Sequence, residues 1–266
     1  SYGSGLGVLE GGTWTVLDTT AGLPSNVEVL TRSVADDGTP ALWIGTEGGL
    51  VRFEHGRFTL FDERCGLPIN IVWKVLETTA PDGQRTLWLG TWGGGVVRLS
   101  PHAWTAFDTT SGLPSGSVTA ITVGPSHGAP DDGTIWAGTS DGELARFDGR
   151  RFVSVPLPAP LRHAIVFSLL ATRDDDGGSS LWVGGFGGGV GRLKDGRWTM
   201  LDPALLPNPR VYKIVATRDA DGSAVLWFCT EGGIARLAHG RATFFRKGVD
   251  LPSEIVTELL ETTGED

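Results

Sequence analysis

An all-β fold, a β-propeller of four-stranded antiparallel blades, follows from three observations: a unit of about 46 residues recurs five times, no stretch shows helical periodicity, and turn residues fall at fixed places in every unit. The segment ALWIGTEGGLVRFEHGRFTLFDERCGLPIN returns as TLWLGTWGGGVVRLSPHAWTAFDTTSGLPSG and three more times with variations. Its anchor tryptophans, Trp43, Trp88, Trp136, Trp182 and Trp227, are spaced 45, 48, 46 and 45 residues apart.

Within a unit the elements come in a constant order. A β-rich run such as Ile71 to Glu77 or Val211 to Thr217 is followed by an Asp/Gly turn (Asp36, Asp37, Gly38; Asp82, Gly83; Asp221, Gly222). The LWIG strand comes next, then a Gly-Gly turn, then a third strand such as Leu50 to Phe53. A His-Gly or Asp-Gly turn (His55, Gly56; Asp148, Gly149; Asp195, Gly196; His239, Gly240) leads to a last strand opened by Trp14, Phe58, Trp104, Phe152 or Trp198, and in the final unit by Ala242 with Phe244 two residues on. Four short antiparallel strands per unit predict a radial array; a solenoid of this period needs helices or a single strand per repeat.

The expected organisation is one domain over 1–266, with blades at about 27–62, 71–107, 117–155, 164–201 and 211–246, and a sixth blade in which 255–266 joins 1–17. Ser1 to Trp14 aligns without gaps on Thr91 to Trp104, so the first residues supply third and fourth strands, while Ile255 to Glu261 supplies a first strand. Six full units exceed the chain by about ten residues, the length of one LWIG strand, so the sixth blade is expected to lack its second strand. Such a gap exposes unpaired backbone to a strand of a parent chain or to self-association. A start at Ser1 and a single methionine, Met200, predict an excerpt of a longer protein.

Composition removes several classes of function. Glycine, 40 of 266 residues, is about twice its usual share, but without the every-third-residue period of collagen. Ten tryptophans and eleven phenylalanines exclude disorder. A net charge of −9 offers nothing to nucleic acid phosphates, and no apolar run reaches the roughly 18 residues that span a bilayer. The two cysteines, Cys65 and Cys229, fall in different units, with neither a disulfide framework nor zinc spacing.

In a four-stranded meander the loop entering the first strand and the turn between strands two and three share one face. Residues there that break the repeat are the candidates for a ligand site. After the Thr of the second turn stand Tyr2, Glu47, Trp92, Ser140, Phe186 and Glu231; inside the first strand stand Trp73, Thr119, Phe167, Tyr212 and Thr257. Aromatic faces interleaved with carboxylates suit a sugar, whose C–H faces stack and whose hydroxyls need acceptors. The predicted ligand-binding set is therefore Tyr2, Glu47, Trp73, Trp92, Phe167, Phe186, Tyr212 and Glu231.

No catalytic residue, cofactor or metal is expected. Three of the five histidines, His55, His102 and His239, occupy equivalent turns of different blades on the opposite face and cannot converge on a metal. His163, beside Arg162 in an irregular loop, is the sole acid or base candidate. The Asp174 to Asp176 run and the Asp219 and Asp221 pair read as hairpin turns rather than calcium loops. GTEGG and GFGGG join strand to strand, with neither the helix nor the lysine of a phosphate loop.

The combination LW-[IVL]-G-T-x-G-G-[LV]-x-R-[FL], then an aromatic strand opening, then G-L-P-S-N, resembles the two-component regulator propeller repeat across nearly the whole chain. The repeat departs from that pattern at Pro160 to His163, at Leu206 to Pro209 and at Gly185 in place of Thr, and no kinase or cyclase sequence is present. Streptogramin lyase propellers share the LWF-like strand but lack the G-L-P-S-N loop. The resemblance implies a non-catalytic sensor propeller of a hybrid histidine kinase or diguanylate cyclase, periplasmic or extracellular, binding a small or oligosaccharide ligand. The alternatives are a protein interaction or self-association scaffold and, third, a propeller lyase.

Overall fold

Each unit builds its sheet around a tryptophan and an arginine. In the computed structural model, which describes residues 5–24, 26–100, 103–126, 129–174 and 176–262, the Trp of the second strand is directly opposite an Arg of the third: Trp43 faces Arg52, Trp88 faces Arg98, Trp136 faces Arg146, Trp182 faces Arg192 and Trp227 faces Arg236. Four of these guanidiniums lie over the indole, 5.2 Å from the ring centroid for Arg52 and Arg192 and 5.7 Å for Arg98 and Arg236. A half-buried contact of this kind contributes about 1 kcal/mol. This explains why the sequence repeats W and R as well as the apolar positions.

The turns repeat for equally local reasons. In G-T-x-G-G the Thr is fully buried, and its hydroxyl clasps the turn: Thr46 Oγ1 donates to the Gly49 carbonyl at 2.8 Å and accepts from the Gly48 N–H at 3.1 Å. Thr230 does the same with Gly233 and Gly232, and Thr91 donates to Gly95. The D-x-x-x-G-L-P segment is a single 3₁₀ turn (Thr19–Ala21, Glu63–Cys65, Thr109–Ser111) capped by Asp18, Asp62 or Asp108. Gly66, at φ 90°, reverses the chain so that the Leu67 N–H reaches the Asp62 carbonyl and the Leu67 side chain is buried.

The chain forms a β-propeller, all antiparallel. β1 (Leu6–Glu10) pairs with β2 (Thr13–Leu17). Next come two four-stranded meanders, β3 (Val27–Val34), β4 (Pro40–Thr46), β5 (Gly49–Glu54), β6 (Arg57–Phe61), then β7 (Val72–Thr79), β8 (Arg85–Thr91), β9 (Val96–Ser100), β10 (Ala103–Phe107). The remaining sheets are β11 (Val118–Ser126) to β14 (Phe152–Val155) by way of β12 (Ala129–Thr139) and β13 (Leu144–Phe147); β15 (Val166–Arg173), β16 (Ser179–Gly185), β17 (Gly189–Lys194), β18 (Arg197–Met200); and β19 (Val211–Arg218), β20 (Ala224–Thr230), β21 (Gly233–Ala238), β22 (Arg241–Phe245).

The chain divides into two compact units, Ser1–Ile121 and Thr122–Asp266. In the first, Trp43, Leu50, Leu67, Val72, Val75, Leu87, Leu89 and Val97 form one buried cluster between two neighbouring sheets. In the second, Trp182, Val190, Val211, Ile214, Phe228 and Ala235 do the same.

Ile255 to Glu261 departs from its expected strand. The Glu254 carbonyl accepts from the Gly233 N–H at 2.7 Å and the Val256 N–H donates to the Thr230 carbonyl at 3.1 Å, yet residues 255–262 form no ladder. A first strand needs the second to complete its backbone hydrogen bonds, and none stands beside it among the described residues. The sixth sheet is two-stranded there, β1 with β2.

Candidate functional site

Four of the five full sheets share an irregularity at the point where the candidate residues fall. The pairing of first and second strands slips by one residue between Val27 and Val29, Val72 and Lys74, Val166 and Ser168, and Val211 and Lys213. The skipped residues are Glu28, Trp73, Phe167 and Tyr212. A β-bulge leaves one residue out of the ladder and re-aims its side chain, so three of the predicted aromatics are the extra residues of bulges.

A second set of backbone bonds brings the turn residues to them. The N–H groups of Glu47, Trp92, Phe186 and Glu231 donate to the carbonyls of Asn26, Ile71, Ile165 and Arg210, each directly before a first strand. Bulge residue and turn residue thereby become neighbours in these four sheets, whatever their side chains.

In the first unit this produces a tryptophan pair. Trp73 and Trp92 have centroids 4.3 Å apart at an interplanar angle of 38°, and Trp92 remains 42% exposed. In the adjacent sheet the same two positions hold Glu28 and Glu47. The Asn26 amide donates to Glu47 Oε2 at 2.5 Å, while burial, reinforced by the Glu47 charge and opposed by Lys74, holds the Glu28 carboxyl above its usual value.

In the second unit the positions hold a triangle of rings. Phe167 lies 5.7 Å from Phe186 and 5.5 Å from Tyr212, and Phe186 lies 5.8 Å from Tyr212. The Tyr212 hydroxyl donates to Glu231 Oε1 at 3.1 Å, and Arg210 Nη1 donates to Glu231 Oε2 at 2.5 Å. The Arg210 guanidinium also lies over Phe186, 4.8 Å from its centroid. Hydrogen bonding from Arg210, above all, keeps Glu231 ionised well into acid; burial, with the bond to Glu231, raises the Tyr212 phenol. At neutral pH the group offers a fixed anionic acceptor, a phenol and three ring faces.

Of the predicted residues, Trp73 and Trp92 come together, as do Phe167, Phe186, Tyr212 and Glu231; Glu47 stands with Asn26 and Glu28, and Tyr2 lies outside the described residues. Arg210, Asn26 and Glu28 were missed. The signal for Arg210 was available: it is the one cation directly before a first strand, where the other blades carry Asn26, Ile71, Ser117 and Ile165.

The opposite face is occupied by paired turns. His55 Nε2 lies 2.8 Å from Asp37 Oδ2, and His239 Nε2 lies 3.6 Å from Asp221 Oδ2. His163 is exposed, with φ 64°, while Arg162 Nε donates to the Leu157 carbonyl at 3.0 Å. Among the described residues no three His, Cys, Asp or Glu side chains group closely enough to hold a metal ion, and no helix is long and apolar enough to cross a membrane. Cys229 is buried and its thiol pushed up to about 11, by desolvation first; Cys65 is exposed.

No protein-family model matches the chain, and no curated protein matches it in sequence. Among solved structures it is similar to the extracellular domain of a protein assigned as a hybrid two-component system from B. thetaiotaomicron, with 20% identity and a TM-score of 0.55 over 89% of this chain and 38% of that one. The extracellular domain of a B. thetaiotaomicron protein assigned as a one-component system follows at 17% and 0.53, over 87% of this chain and 37% of that one. A catalytically inactive virginiamycin B lyase from Staphylococcus aureus, solved with quinupristin, is similar at 19% identity and a TM-score of 0.60, over 85% of this chain and 73% of that one. The chain spans under two fifths of the length of the two B. thetaiotaomicron domains. At these identities the likeness establishes the propeller fold.

Proposed function

We propose that this propeller is a non-catalytic ligand-sensing module of a signalling protein, working outside the cytoplasm, and that it binds a small or glycan-like ligand through its bulge and turn residues. The observation that carries this reading is the pair Trp73 and Trp92: both depart from the repeat, they are 4.3 Å apart, and one ring is 42% exposed. A large aromatic kept at the surface is positioned for stacking, and Glu47 and Asn26 in the adjacent sheet supply acceptor and donor groups for hydroxyls. Phe167, Phe186, Tyr212 and Glu231 extend the same chemistry in the second unit. The likeness to extracellular domains of assigned two-component systems supports the sensing role.

Titration with cellotetraose and xylotetraose, followed by calorimetry and tryptophan fluorescence, tests it. Saturable binding that weakens about tenfold or more in Trp92→Ala is expected, a loss of about 1.4 kcal/mol. Binding unchanged in Trp92→Ala, or absent with both oligosaccharides, overturns the reading.

A second reading, an association surface, is favoured by the β1 and β2 sheet, which presents Leu9, Trp14 and Val16 on one face at 56, 70 and 61% exposure. Light scattering on the parent and on Trp14→Ser separates the two. A dimer lost in Trp14→Ser supports association; a monomer of about 28 kDa leaves the sensor reading in front.

A further inference from the structure

Two seams between adjacent sheets can be compared position by position. Where β3–β6 meets β7–β10, Glu77 stands sixth in its first strand, directly opposite Leu87. Its Oε2 accepts from the Trp43 indole at 2.9 Å and from the Ser33 hydroxyl at 2.7 Å, both on the neighbouring sheet. Where β15–β18 meets β19–β22, Ala216 occupies that sixth position, directly opposite Leu226. Trp182 stands in place of Trp43 and Thr172 in place of Ser33, and the indole N–H now turns to Thr172 Oγ1 at 2.9 Å.

With Ala216 in place of Glu77, and Ala224 in place of Arg85, which reaches the Val34 carbonyl across the first seam, the second unit holds a cavity of about 600 Å³ at this level. Trp182, Arg192 and Thr172 wall one side; Ala216, Ala224 and Leu226 wall the other. Its volume is that of a small-molecule site, roughly 300–1,000 Å³. Thr172 accepts the indole proton and still has its own hydroxyl proton to give. Arg173, Arg192 and Arg218 reach the cavity, against the carboxylates of Asp174 and Glu261. Asp174 is already held by Arg192 at 2.9 Å, Lys194 at 3.0 Å and the Ser180 hydroxyl at 2.8 Å. Arg218 donates Nη1 to the Gly222 carbonyl, and its other N–H groups remain.

We propose that this cavity is a second ligand site, for a small carboxylate of monosaccharide or amino-acid size, whose carboxylate takes the place that the Glu77 side chain fills in the other seam. The apolar wall of Trp182, Ala216, Ala224 and Leu226 takes the body of the ligand, while Thr172 and Arg218 meet its charge. The site lies at the end of the strands away from the bulges and stands independently of the sensor reading.

D-glucuronate, with D-glucose as its uncharged counterpart, tests the proposal in ¹H–¹⁵N spectra of the whole chain, with the Trp182 indole signal assigned through Trp182→Phe. Glucuronate is expected to shift the Trp182 signal saturably, leave the Trp43 signal unmoved, and outbind glucose at least tenfold. Ala216→Glu, which carries its own carboxylate into the cavity, is expected to abolish that shift and to raise the melting temperature. Arg218→Ala provides a second variant, weakening glucuronate about tenfold without filling the space. Equal effects of the two sugars, no saturable shift, or full glucuronate binding in Ala216→Glu would overturn the assignment.

Discussion

The two seams share a tryptophan, an arginine and a hydroxyl, and differ in whether a carboxylate closes them. In the first unit Glu77 reaches across to Trp43 and Ser33, so one side chain satisfies two donors of the next sheet. In the second, Trp182 finds its acceptor within its own sheet at Thr172, and the space opposite Ala216 stays open. The difference teaches that the repeated tryptophan is satisfied in either way; what varies is whether its hydrogen bond crosses to the next sheet or stays within its own. A repeat protein can therefore reshape one interface by exchanging side chains along its seam while the meander around it is unchanged.

Breaking the pin should have the largest effect. Glu77→Ala removes both hydrogen bonds that a charged acceptor makes across the seam and leaves the Trp43 indole the Ser33 hydroxyl of its own sheet, as Trp182 has Thr172; a loss of about 2–3 kcal/mol is expected in denaturant unfolding. Added acetate should recover part of it. If Glu77→Ala were neutral, the carboxylate would not be what closes this seam.

Asp174→Asn should cost less, about 1–2 kcal/mol, because Ser180 and a neutral amide partner remain. Its pH dependence sharpens the contrast. Burial works to raise the Asp174 carboxyl, but Ser180, Lys194 and Arg192 outweigh it and hold it below the usual carboxylate value. A depressed folded-state value contributes stability that is complete above about pH 4 and lost as pH falls through that value. Asp174→Asn should flatten the acid limb of stability measured from pH 5 to 2; an unaltered limb would assign acid sensitivity elsewhere.

Trp182→Phe removes one indole bond to Thr172 and should cost about 1 kcal/mol, less than Trp43→Phe, which leaves Glu77 with a single donor from the neighbouring sheet. His55→Ala, at an exposed contact with Asp37, should leave the unfolding midpoint where it was.

The strand order, the Asp-Gly and His-Gly turns and the tryptophan anchors were legible because each is written in neighbouring residues: alternation makes the strand, and Gly or Asp makes the turn. The candidate residues stood out for the opposite reason, as aromatics in slots the repeat does not fill with them. That Trp73, Phe167 and Tyr212 are bulge residues was not legible, because a bulge is a property of pairing register and not of one strand. Arg210 was overlooked because its value lies in Phe186 and Glu231, the latter 21 positions away in sequence. Ile255 to Glu261 has the pattern of a first strand and forms no ladder, since the hydrogen bonds that define a strand belong to its partner as much as to itself.

By itself the sequence determined the period, the all-β meander, the Asp-Gly and His-Gly turns, and which residues break the repeat. Those are short-range matters, decided by backbone preference and alternation within a few residues. Tertiary structure alone decided that Trp73 packs against Trp92, that Phe167, Phe186 and Tyr212 close into a triangle, and that a cavity lies beside Ala216 while Glu77 bonds across its seam to Trp43. Each of these depends on what a neighbouring strand or sheet presents at the same level, and that is fixed only when the sheets have twisted and packed.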